Sequence, residues 1–224
     1  ISKLDITFLL PLLIICNNSI SNLVSNLKYV INENLSSIIL SLYKNIELFM
    51  KETLIVIPCR MDSSRLPGKP LLNFFGVPMV IRIAQIASSL EIGNVVVGCC
   101  DSEVYDVAKK YGVNAIMTSK KHKSGSDRVF EVVEKLDPKK KIKNIINLQG
   151  DMPTVSPMIL KKLLYYKNKY DTDIVTLASE ILENEEKTDP NVVKVVFSNF
   201  INEEGGKALY FSRSSIPFAS DEMF

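Results

Sequence analysis

From Thr53 onward, short β-branched apolar runs alternate with segments of helical periodicity at close spacing, and few folds accept that pattern. Thr53–Ile57 (TLIVI) and Asn94–Gly98 (NVVVG) are continuous runs too short for buried helices, so they read as strands covered on both faces. Between them, Val80–Leu90 repeats apolar residues at helical spacing and stops near Gly93. Ser102–Tyr111 reads as a helix with Ser102 as its N-cap and Gly112 just past its end. The spacing then predicts a strand at Ala115–Met117, a helix at Asp127–Leu136, a strand at Lys143–Leu148 and a helix at Pro157–Tyr170. Further strands are expected at Asp173–Ala178 and Asn191–Phe197. Such alternation predicts an α/β fold with a doubly wound, mostly parallel sheet of Rossmann-like kind. Ligands of these sheets sit beyond the carboxyl ends of the strands. The loops to inspect are therefore 58–70, 98–102, 118–127 and 149–156.

Residues 1–49 break the pattern. They hold no Gly, Ala or Arg, while Ile and Leu supply 20 of the 49 and Asn and Ser another 14. Leu23, Leu27, Val30, Ile31, Leu35 and Ile38 recur at helical spacing. The most apolar run, Ile6–Cys16, is 11 residues long with Pro11 inside, short of the roughly 20 that cross a bilayer. Lys3 before it suits a secretion signal, whereas Asp5 and the lack of a small-residue cleavage site do not. The expectation is an extension outside the functional protein, with an accessory helix as the alternative, and a working domain at 50–224. No membrane association is expected. The 27 Lys+Arg and 25 Asp+Glu leave a net charge of +2, which gives no global field towards nucleic acid. Cys16, Cys59, Cys99 and Cys100 form no C-x-x-C pair, so neither a zinc site nor a disulfide framework is indicated and a reducing cytoplasm is the expected setting.

Three loops carry candidate chemistry. Pro58–Pro70 (PCRMDSSRLPGKP) places Arg60, Arg65 and Lys69 with two hydroxyls and a glycine directly after a buried strand. Backbone N–H groups and hydroxyls in such a loop take phosphate oxygens while the cations neutralise charge; a solvated basic turn is the plainer alternative. Neither a Walker A loop nor G-x-G-x-x-G is present. In Leu148–Pro153 (LQGDMP), Asp151 stands at the tip of a strand, where a carboxylate suits Mg²⁺, a hard ion that prefers oxygen; a turn-forming Asp is the alternative. Ser124–Arg128 (SGSDR) opens a helix, where free N–H groups suit a phosphate or base, or simply an N-cap. His122, the single histidine, lies among Lys120, Lys121 and Lys123 and reads as a solvated loop residue. No hydrolytic triad or paired carboxylates appear.

Together, Ile55–Pro70 (IVIPCRMDSSRLPGKP), SGSDR, Asn147–Pro153 (NLQGDMP), Asn191–Val195 (NVVKV) and Ala208–Pro217 (ALYFSRSSIP) resemble the CMP-Kdo synthetases, or 3-deoxy-manno-octulosonate cytidylyltransferases. The resemblance runs from about Leu54 to the last residue. It implies a nucleotide-diphospho-sugar transferase-like fold and Mg²⁺-dependent transfer of CMP from CTP to the 2-hydroxyl of Kdo, for lipopolysaccharide biosynthesis. By position in the motifs, Arg60, Arg65 and Lys69 would hold the triphosphate, and Lys69 would offset charge on departing pyrophosphate. Asp151 would ligate Mg²⁺. Ser124, Gly125, Ser126, Asp127 and Arg128 would contact CTP, and Gln149 and Arg213 would contact Kdo. The sequence departs from the family at Met152, where Glu is usual, and at Cys99–Cys100, where Ala-Thr is usual. The family also continues for several tens of residues past the position of Phe224, with a second metal-binding Asp and much of the homodimer surface. The domain is therefore expected to be incomplete at its C-terminus, turnover by this chain alone to be low or nil, and dimerisation doubtful. The alternatives are an inactive remnant or a cytidylyltransferase for a related acidic sugar.

Overall fold

A computed structural model describes residues 41, 44, 52–62, 66–199 and 205–217. Of the expected extension, only Ser41 and Lys44 are described, both helical and exposed; the rest of that expectation, like Arg65, lies outside the described residues. The chain divides into two compact units, Ile1–Lys161 and Lys162–Phe224.

The first unit is built on four parallel strands: β1 (Thr53–Cys59), β4 (Asn94–Cys99), β5 (Ala115–Met117) and β6 (Asn144–Asn147), in the order β5-β4-β1-β6. A two-stranded hairpin, β2 (Asn73–Phe74) with β3 (Val77–Pro78), follows a 3₁₀ turn at Lys69–Leu71. The chain steps from β1 outward to β4 and β5, then returns past β1 to β6. The doubly wound expectation holds, and the winding reverses between β1 and β6, where such sheets bind ligands.

Every residue of β1 is buried. Leu54 and Val56, with Val96 of β4, pack under Val129 and Val132 of α3 (Gly125–Leu136). Ile55, Ile57 and Val97 point the other way and are equally buried, and α1 (Met79–Ser88) packs on β1 and β4. Both faces are therefore covered, as the unbroken apolar runs require. Gly98 lets α3 settle on the sheet: a Cβ there would meet Val132 Cγ2 at 2.9 Å. β1 runs through Pro58 rather than ending at it. Its pairing with β6 finishes at Val56–Asn147, so no ladder bond on that side is lost to the proline.

Some expectations need correction. α2 (Ser102–Lys110) has Asp101, not Ser102, at its N-cap, and the Asp101 carboxylate makes no cap bond. It accepts instead from the Met61 N–H at 2.8 Å, fastening the first loop to the end of β4.

The division between the units falls within α4 (Pro157–Tyr170); in the second unit, α5 (Asn184–Thr188) is short, and β7 (Lys194–Asn199) pairs antiparallel with β8 (Gly206–Ser212). Asp173–Ala178 is not a strand. Its β-branched composition finds no ladder, and Ile174 and Leu177 are exposed. The last expected strand begins at Lys194 rather than Asn191 because Lys194 is fixed there. Its buried ammonium donates to the carbonyls of Asp189, Val192 and Arg213 at 2.6, 2.9 and 3.1 Å.

Candidate active site

A cleft of about 530 Å³ opens at the carboxyl ends of the first unit's strands. The end of β1 contributes Pro58, Cys59 and Arg60, and the loop after it Leu66, Lys69 and Pro70. The β6 loop contributes Gln149, Gly150 and Asp151, and the approach to α3 supplies His122–Gly125 together with Arg128. Close packing of backbones shapes the floor. A Cβ on Gly150 would stand 3.1 Å from the Pro58 carbonyl oxygen, and one on Gly125 would stand 3.4 Å from Pro58 Cγ.

Lys69 Nζ lies 3.2 Å from Asp151 Oδ2 across the cleft. The other carboxylate oxygen has no protein partner among the described residues. No group of three or more His, Cys, Asp or Glu is placed to hold a metal among them either. Asp151 would offer a hard cation such as Mg²⁺ a carboxylate oxygen, the donor type that ion prefers alongside water and phosphate. The donor chemistry fits that ion. Met152 does not line the cleft.

The SGSDR segment divides by role. Ser124 and Asp127 form a reciprocal capping box: Asp127 N–H donates to Ser124 Oγ at 3.1 Å, and Ser124 N–H to Asp127 Oδ2 at 3.0 Å. The Ser124 side-chain bond, followed by its backbone bond, lowers the Asp127 carboxyl below the usual range. Ser126 and Asp127 are exposed and do not line the cleft. Of the first-turn N–H groups of α3, that of Asp127 goes to the Ser124 cap, while those of Gly125 and Ser126 have no acceptor within the helix. Arg128 is 3 % exposed, its Nη1 donates to the Thr118 hydroxyl, and that hydroxyl donates to the Cys99 carbonyl at 2.9 Å. No carboxylate among the described residues pairs with Arg128. A buried cation with no carboxylate beside it among the described residues, on the wall of a cleft, would suit an anion. Gln149 Nε2 donates to Asn147 Oδ1 at 2.8 Å. Burial pushes the Cys59 and Cys100 thiols up, and the Cys99 thiol to about 11, so these three stay protonated and inert.

Of the candidates, Arg60, Lys69, Ser124, Gly125, Arg128, Gln149 and Asp151 come together in this one cleft. Arg213 belongs to the second unit, where its Nη1 donates to the Pro190 carbonyl at 2.7 Å. His122, read from the sequence as a solvated loop residue, is half-buried instead. It lines the cleft and its Nε2 donates to Glu131 Oε2, a pairing between a loop and the second turn of a helix that no periodic signal announces.

A parallel sheet wound both ways, with a cation-bearing cleft where the winding reverses, defines a nucleotide-binding α/β protein. A sequence profile of the family described as Cytidylyltransferase matches residues 54–224. The 3-deoxy-manno-octulosonate cytidylyltransferase of Paramagnetospirillum magneticum is 44 % identical over 164 residues, covering 73 % of this chain and 67 % of that one. That of Rhizobium etli is 43 % identical over 173 residues, covering 77 % and 68 %. A solved structure of CMP:2-keto-3-deoxy-manno-octonic acid synthetase complexed with CTP superposes with a TM-score of 0.63 at 36 % identity, over 77 % of this chain and 68 % of that one. The chain belongs to the cytidylyltransferase family, among the 3-deoxy-manno-octulosonate cytidylyltransferases.

Proposed function

We infer that residues 50–224 transfer CMP from CTP to the 2-hydroxyl of Kdo, releasing CMP-Kdo and pyrophosphate. The observation that carries this reading is the meeting of Lys69 and Asp151 across the switch-point cleft, in a chain whose relatives bear that enzyme's name. The acceptor oxygen attacks the α-phosphorus while the bond to the β-phosphate oxygen breaks. Such chemistry rests on positioning and on neutralising charge. Arg60, Arg65 and Lys69 hold the triphosphate, and the Lys69 ammonium offsets the charge that grows on the leaving pyrophosphate. Arg128 and the N-terminus of α3 supply the remaining positive potential at the cleft wall, while Gln149 receives the acidic sugar. Asp151 would hold Mg²⁺, which would supply positive charge to the phosphates. The product serves lipopolysaccharide biosynthesis in the cytoplasm. No helix among the described residues is long and apolar enough to cross a membrane.

Calorimetric titration with nucleoside triphosphates in Mg²⁺ tests the reading. CTP is expected to bind more tightly than ATP, and Lys69→Ala to weaken CTP by at least about tenfold. A folded chain that ignores CTP would refute it.

A further inference from the structure

Glu131, on the second turn of α3, is the anchor of the loop that forms one wall of the cleft. Its Oε2 accepts from the Ser119 N–H at 2.8 Å and from His122 Nε2, and its Oε1 takes Lys135 Nζ at 2.7 Å. One carboxylate oxygen thus ties two residues three apart in the chain, closing the turn between them, and Lys121 N–H adds a bond to Ser119 Oγ at 3.1 Å. This loop carries Lys120, Lys121 and Lys123 beside His122, so without a counter-ion its charges repel one another and favour an open conformation. Glu131 brings a carboxylate to this basic loop through His122 and the Ser119 N–H, and Lys135 on the same helix pairs with its second oxygen. The residues that follow the anchored turn, Lys123, Ser124 and Gly125, line the cleft together with His122 itself. The Glu131 and His122 side chains are only 21 % and 22 % exposed, so the pair is shielded enough to hold one geometry.

We propose that His122 and Glu131 are positioning residues: their pair locks the 119–124 loop so that Lys123 and the N-terminus of α3 face the bound nucleotide. The loop is then ordered before binding, and the nucleotide meets a preformed wall rather than ordering one itself. This rests on reading the cleft as the CTP site.

Two measurements on the full chain test it. Amide exchange without nucleotide reads the loop directly: Glu131→Gln is expected to speed exchange at residues 119–124 at least about tenfold, while core amides of β1 stay protected. CTP titration reads the consequence. Glu131→Gln and His122→Gln should each weaken CTP about tenfold, the scale of one charge-assisted hydrogen bond. The double variant should be no weaker than either single one, because the two act as one device. Glu134→Gln, which removes a charge from the same helix away from the loop, should match the parent. Variants with parent-like exchange, or faster exchange but CTP binding within twofold of the parent, would overturn the proposal. Additive losses in the double variant would also overturn it. A parent that holds its loop yet binds no CTP would instead defeat the nucleotide reading of the cleft, and the positioning role with it.

Discussion

Lys69 and Asp151, 82 residues apart in sequence, meet with Nζ 3.2 Å from Oδ2 at the point where the sheet reverses its winding. Their side chains are 31 % and 55 % exposed, and an ion pair that open to water contributes only about 0–1 kcal/mol to stability. In the proposed function the two are each other's counter-ion until triphosphate and Mg²⁺ claim them. Lys69→Ala is accordingly expected to cost about 2–4 kcal/mol of transition-state stabilisation, read from kcat/KM, with the thermal midpoint nearly unchanged. A large fall in midpoint would assign the lysine a structural role instead.

Arg128 gives the opposite separation of effects. Its charge is buried against Thr118 with no carboxylate among the described residues to offset it, so replacing it with an apolar side chain of similar length removes a desolvation cost. Arg128→Met should leave urea stability equal to or above the parent's and weaken CTP by about tenfold or more. Lower stability with unchanged affinity would make Arg128 a core residue and nothing else.

Gly150 is where the β1 and β6 loops touch. A methyl group 3.1 Å from the Pro58 carbonyl has to push the two loops apart, because neither neighbour is a flexible side chain. Gly150→Ala is expected to cost about 1–3 kcal/mol in stability, the usual scale of overpacking, and to lower nucleotide affinity as well. Parent-like values of both in denaturation and titration would show that the loops yield freely.

Glu131 sets an acid limit. The hydrogen bond from Lys135, then those from the Ser119 N–H and His122, hold its carboxyl down to about 2 from an ordinary 4.5. A carboxyl lowered on folding contributes stability that is complete above its unfolded value and drains away as pH falls through the folded one. Part of the protein's stability is therefore lost between about pH 4.5 and 2. Urea midpoints followed across that window should fall less steeply in Glu131→Gln than in the parent, and identical slopes would contradict the assignment.

The parallel sheet was legible because β1 and β4 are buried on both faces, and such strands announce themselves as unbroken β-branched runs. Pro157–Tyr170 was legible in the same way, by helical period alone, and forms residue for residue. Asp173–Ala178 carries the same composition without becoming a strand, since strand formation depends on a partner edge that local sequence does not encode. β8 escaped periodic reading because its exposed Leu209, Tyr210 and Phe211 show no alternation. At the site, the cations and Asp151 were visible from their loops. Asp101 reaching back to Met61, and Glu131 gathering Ser119, His122 and Lys135, were not, because each joins residues through a turn or between strands.

The transfer itself is tested most directly by pyrophosphate release in a single turnover, with the chain in excess over CTP so that slow chemistry is seen. With Mg²⁺ and Kdo present, one pyrophosphate should appear for each CTP consumed; none should appear without Kdo, and Lys69→Ala should slow release by about 30-fold or more. Release that does not depend on Kdo, or that Lys69→Ala leaves unslowed, would contradict the account.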